Sequence, residues 1–163
     1  MRRSLFAATV LCLSFTATAW AKNFAVPEKN PAATLVIPDS WKIEEIDYGY
    51  SAKSSDGDVF FSVEYAGGSR IEKMLENNTD WMKENHIQAK GKPVEKDIEI
   101  GGLSAKLVHY DAADENGDTM VDFVVIPAGH GRVIMLTLWG SEEELKANQA
   151  DIDAIKKSVK AIN

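Results

Sequence analysis

The chain has 163 residues, 45% hydrophobic and 26% charged, the composition of one ordinary globular domain rather than of a disordered segment. Its 18 Lys and Arg stand against 25 Asp and Glu, a net charge of −7. That balance excludes the basic stripe a nucleic-acid backbone requires and the Lys/Arg cluster that docks on anionic lipid.

The first 21 residues read as a targeting segment. Arg2 and Arg3 precede Leu5–Phe15, an apolar run of 11 residues, too short for the ~20 helical residues that span a bilayer. Ala19-Trp20-Ala21 then supplies a small-x-small end. The pattern predicts a secretory signal peptide cut between Ala21 and Lys22. Leu11 precedes Cys12, where a lipid-anchor signal needs a small residue. Cleavage leaves 142 residues with 16 basic and 25 acidic side chains, a net −9. Cys12 is the one cysteine and leaves with the signal, so the mature chain is expected to carry no disulfide and no cysteine-based metal site. No second apolar run approaches bilayer length. The expected destination is the periplasm, as a soluble protein.

Residues 22–33 carry two prolines and little pattern, and are predicted to form an extended lead. Thr34–Ile37 follows as a short strand, Pro38-Asp39-Ser40 as a turn, and Trp41–Ile46 as a second strand. Asp56-Gly57 separates strand Tyr48–Ser54 from strand Asp58–Tyr65, in which Val59, Phe61, Val63 and Tyr65 alternate with Phe60, Ser62 and Glu64. Gly101-Gly102, Asn116-Gly117 and Gly129-His130-Gly131 separate four more segments: Val94–Ile100, Leu103–Asp111, Thr119–Ile126 and Arg132–Trp139. Such turn pairs favour tight hairpins, which make the second half an antiparallel meander. Ser69-Arg70-Ile71-Glu72 is a capping-box pattern opening a helix to about Asn85. Ser141-Glu142-Glu143-Glu144 opens a second helix to about Ala161. Along it Leu145, Ile152, Ile155, Val159 and Ile162 form one stripe, and Asn148 falls inside that stripe in need of a partner. Val133–Trp139 is apolar on both faces, so both faces of its sheet are covered. The expected fold is α+β: a single antiparallel β-sheet with helices on both faces, in one domain over residues 34–163.

Several landmarks resemble the PsbP-like superfamily. They are Ile37-Pro38-Asp39-Ser40-Trp41, the hairpin at Asp56-Gly57, the helix opening at Ser69, Ile100-Gly101-Gly102-Leu103-Ser104-Ala105, the apolar Val133–Trp139 strand and the closing helix Ser141–Ile162. The resemblance covers roughly residues 34–162. Within the superfamily it points to secreted bacterial families related to the periplasmic lipoprotein DcrB, although this chain lacks that protein's lipid anchor. It implies an α/β/α sandwich. Plant relatives support an oxygen-evolving centre and a eukaryotic relative binds the small GTPase Ran, but no residue here matches either activity.

Candidate sites are few. Placing Gly117 at the sixth position of a calcium loop puts Ala112 and Phe123 where carboxylates belong, so Asp111–Asp118 reads as a charged hairpin tip. His86, His109 and His130 have no partner at metal-ligand spacing. Ser104 and His109 point to opposite faces of one strand, which argues against a triad with Asp111. Gly129-His130-Gly131-Arg132 is too short to cradle phosphate. Asn77-Asn78-Thr79 fits a glycosylation sequon but lies on a predicted helix. Trp41, Tyr48 and Tyr50 cluster near the first strands, either as packing or as an aromatic patch for a partner. No catalytic residue, cofactor or metal is assigned. The expected function is non-enzymatic: a soluble exported protein that binds a protein partner or supports an assembly. The alternatives are a small-ligand binder with a pocket between sheet and helix, lined by residues such as Trp139 or Tyr110, and a hydrolase with an unrecognised site.

Overall fold

The computed structural model describes residues 21–162. The signal-peptide expectation for residues 1–20 lies outside them. A cut between Ala21 and Lys22 leaves Lys22–Val26 of the first strand in the mature chain.

Eight strands form one antiparallel sheet. They are β3 (Lys42–Ile46), β4 (Gly49–Lys53), β5 (Phe60–Gly67), β6 (Gln88–Ala89), β7 (Val94–Ile100), β8 (Leu103–Asp114), β9 (Gly117–Ala128) and β10 (Arg132–Gly140). The order is β3-β4-β5-β10-β9-β8-β6, with β7 also paired to β8. The hairpin signals account for this meander. Asn116-Gly117, for example, closes β8 onto β9 with Asp114 opposite Gly117 and His109 opposite Asp122. The last strand, β10, returns to the centre between β5 and β9, with Leu136 opposite Val63 on one side and Val124 on the other.

A single sheet with helices on both faces does not form. The lead and the C-terminus build a second sheet of three strands, in the order β1-β2-β11. Its members are β1 (Ala21–Val26), β2 (Ala33–Pro38) and β11 (Lys160–Ala161). Phe24 stands opposite Leu35, and Lys160 opposite Thr34. The protein is therefore mostly β, with two sheets. Pairing to β2, rather than any alternation of its own, makes the lead a strand. A two-residue strand such as β11 has no sequence period to read.

The two faces of β10 have different covers. Ile134, Leu136 and Leu138 join one core with Phe61 and Val63, with Val26, Leu35 and Ile37 of the small sheet, and with Ile152 and Ile155. The latter two belong to α3 (Gln149–Ser158). On the other face Met135 packs with Val121, Phe123, Met74 and Met82, the last two from α1 (Arg70–Glu84). A strand apolar on both sides does carry two covers, but one of them is a sheet with a helix beside it.

The predicted closing helix is two helices, α2 (Glu142–Ala147) and α3, with Asn148 between them at φ −98 and ψ 11. Asn148 Nδ2 donates to Glu144 O and to Asp56 Oδ2, both at 3.1 Å, which supplies the partner its place in the stripe demanded. Asp56 is itself fixed at the β4–β5 turn. It accepts from the Ser54 hydroxyl and from Asp58 N, while buried Ser54 Oγ accepts from Val59 N at 2.9 Å. The Ser54 bond first, and then the Asn148 bond, hold the Asp56 carboxyl below the usual range. The Ser141 capping box forms: Ser141 N donates to Glu144 Oε2 at 2.7 Å, and Glu144 N donates to Ser141 Oγ at 3.3 Å. The Ser69 box does not, because Ser69 has helical φ −66 and ψ −11 and its side chain caps nothing. An N-cap needs an extended residue to aim its oxygen back at the first turn.

Candidate functional site

Strand alternation puts Phe61 and Val63 of β5 into the first core, and turns Ser62, Glu64 and Ala66 toward α1. On β10 the one polar residue of the run Val133–Trp139 is Thr137, directly opposite Ser62. Thr137 is 3% exposed and Ser62 4%. Two hydroxyls and a carboxyl thus lie on central strands, under a helix, where the rest of the strand is apolar.

Above this floor α1 stands off the sheet and leaves a cleft of about 690 Å³. Ser62, Glu64 and Thr137 line it from the sheet, with Phe123 of β9; Met74 and Trp81 line it from the helix. Trp81 sits within a cluster of rings. Trp81 lies 5.2 Å from Phe60, 5.9 Å from Trp139 and 6.2 Å from Phe123, centroid to centroid. At the mouth the Arg70 guanidinium sits 5.0 Å from the Tyr48 ring centre and 5.4 Å from that of Tyr65, a cation–π clasp between the first turn of α1 and the sheet.

Burial raises the Glu64 carboxyl above the ordinary carboxylate range, and no hydrogen bond or neighbouring charge offsets that burial. Among the described residues its carboxylate forms no ion pair. The cations of the cleft lie elsewhere: Arg70 is stacked at the mouth, and Lys73 is exposed on α1. Asp80, another lining acid, is bridged by Lys83 at 3.0 Å.

The residues singled out in the sequence scatter. Trp41 is 3% exposed, and its indole N–H donates to Asp151 Oδ2 at 2.9 Å; its ring is core. Tyr50 is half-buried, edge-on to Phe24 at 4.9 Å. Burial, then Glu45 and Glu28, raises its phenol above the ordinary value. Tyr48 is 44% exposed and lines the cleft mouth. His109 Nδ1 lies 2.6 Å from Asp122 Oδ1 across the β8–β9 ladder. His109 Nε2 also lies 3.4 Å from Asp111 Oδ1, whereas Ser104, opposite Glu99 on β7, bonds to neither. His86 and His130 occupy positive-φ turn positions, at 56° and 62°. The pocket lies between sheet and helix as the ligand-binding alternative requires, but Trp81 and Phe123 line it rather than Trp139 or Tyr110. A signal for it was present in the sequence: a lone Thr in VIMLTLW, and Ser62 and Glu64 alternating with buried apolar residues.

No family model matches the chain, and no curated protein matches it in sequence. Solved structures do match. Cyanobacterial PsbP (CyanoP) from Synechocystis superposes with a TM-score of 0.57 at 9% identity, over 91% of this chain and 96% of that one. The chain has a PsbP-like fold. A protein from Bacteroides thetaiotaomicron matches with a TM-score of 0.53 at 11% identity, over 80% of this chain and 45% of its own. LpqN of Mycobacterium tuberculosis, described as involved in cell envelope biogenesis, matches at 18% identity over 85% of this chain and 90% of its own. Its TM-score is 0.47. At such identities the PsbP-like likeness concerns backbone architecture, and function rests on the chemistry of the site.

Proposed function

We propose that this is an exported, non-enzymatic accessory protein, allied to secreted bacterial PsbP-like proteins, that binds a ligand in the cleft between α1 and the large sheet. The observation that carries the reading is the polar floor. Ser62, Glu64 and Thr137 sit at central-strand positions where apolar residues would pack α1 down and add stability. A preformed cleft of this size, with aromatic side chains and convergent polar groups in its lining, is a usual place for a small molecule. Export is supported by the Arg2–Ala21 pattern. No helix of the described residues is long and apolar enough to cross a membrane. Docking of a protein partner through the three rings is less well supported, since Tyr48 alone of them ranks among the exposed large apolar side chains.

Thermal melts in the presence of fractionated small-molecule extract test the proposal. A ligand at 100 times its Kd adds ~2.7 kcal/mol to the folded state, a shift of roughly 5–10 °C for a chain of this length. One fraction is expected to raise the midpoint of the natural protein and to leave that of Ser62→Leu, whose side chain fills the floor, unmoved. A shift of the same size in both, or in neither across all fractions, overturns the cleft as the site.

A further inference from the structure

We propose that the cleft takes an organic cation: an ammonium group on an aromatic or aliphatic body, with Glu64 as its counter-ion and Trp81 as the ring it lies against. This inference rests on the cleft being the binding site and names the ligand chemistry that site selects.

Charge argues for it first. The lining contributes four carboxyls, Asp47, Glu64, Asp80 and Glu84, against two cations, Arg70 and Lys73. Arg70 is held between Tyr48 and Tyr65 at the mouth, while Asp80 already has Lys83. Asp47, Asp80 and Glu84 are exposed, whereas Glu64 is the least exposed of the four and forms no ion pair among the described residues. Glu64 lies on β5 two residues from Ser62, ~6–7 Å along the strand on the same face. Glu64 is half-buried, and a partly desolvated carboxylate gains from an opposite charge, so a cation entering the cleft supplies the pair it lacks. An anionic ligand would meet Glu64 as a like charge.

The walls argue for it second. Aromatic faces attract cations, by ~0.5–2 kcal/mol according to how dry the site is, and serve as cages for substituted ammonium groups. Trp81 is half-buried in the lining beside the polar floor, and Phe123, 2% exposed, backs it edge-to-face at 6.2 Å. Ser62 and Thr137 supply hydroxyl oxygens that accept from ammonium N–H groups.

Three probes of one size separate the possibilities: phenethylamine, phenethyl alcohol and 3-phenylpropionate. Each is titrated into the 15N-labelled protein at pH 7, with the backbone amides of residues 61–65 and 136–138 followed by NMR. The expected result is saturable shifts at those amides with the amine, at least tenfold weaker with the alcohol and absent with the acid. Glu64→Gln, nearly isosteric and checked for folding by the dispersion of its own spectrum, should weaken the amine at least tenfold. Asp47→Asn, which removes an exposed carboxylate of the lining, should weaken it less than Glu64→Gln does. Equal binding of amine and alcohol, preference for the acid, or amine binding unchanged in Glu64→Gln overturns the cation while keeping the cleft as a site. If Asp47→Asn causes the loss instead, the assignment to Glu64 is wrong. Amide shifts confined to other regions with all three probes overturn both the cation and the cleft.

Discussion

Glu64 carries two consequences that can be measured separately. Its carboxyl is raised by burial, so in the folded state it resists ionisation more than in the unfolded chain. A group raised in this way lends the fold stability that is fully present below the unfolded value, about 4.5 for Glu, and lost as pH climbs through the folded one. Glu64→Gln removes that loss. Urea melts should show the variant more stable than the natural protein at pH 7 and indistinguishable from it near pH 3.5. A variant destabilised at both pH values would mean that the carboxyl makes a bond the fold requires. The floor hydroxyls obey similar logic. Replacing buried hydroxyls by apolar groups of like shape is close to neutral or stabilising where no bond the fold needs is lost. Ser62→Ala with Thr137→Val should therefore leave the urea midpoint unchanged or raise it. A loss above ~2 kcal/mol would make the pair structural.

Among the elements, β10 separates the two cores, and its sequence announced this. Ile134, Leu136 and Leu138 face the small sheet and α3, while Met135 faces α1. Leu136 is 3% exposed, and Leu136→Ala should cost ~2–5 kcal/mol, the range for truncating a buried leucine. Chemical denaturation measures it, and a loss under ~1 kcal/mol would deny β10 its central place. The elements that sequence reading missed share one physical trait: partners far along the chain decide them. β1 is a strand because β2 offers it a ladder. β11 exists because Lys160 and Ala161 reach Thr34 and Ala33. The closing helix breaks where Asn148 exchanges helical continuity for bonds to Glu144 and to Asp56 of a distant turn. Hairpins, by contrast, are local, and Asp56-Gly57, Gly101-Gly102 and Asn116-Gly117 were legible because a tight turn is specified by its own two residues.

At the scale of the whole molecule, the sheet is tightly covered on one face and loosely on the other. On the tight side the small sheet and α3 bury Val26, Leu35, Ile37, Ile155 and Val159 to 1% exposure or less. On the loose side α1 buries only Met74 and Met82 and leaves a cleft of about 690 Å³ over Ser62, Glu64 and Thr137. The sequence showed that both faces were covered and did not show how closely, because standoff depends on how α1 meets β5 across the turn at Gly68 and Ser69. Nor could it rank the aromatic rings: Trp41 and Tyr48 are seven residues apart, yet one is 3% and the other 44% exposed. The most direct test is native mass spectrometry of the protein recovered gently from its own cells, beside Ser62→Leu recovered in the same way. A ligand-binding cleft predicts a non-covalent adduct of constant mass on the natural protein and its absence from the variant. Bare protein in both samples, or the same adduct on both, would contradict it.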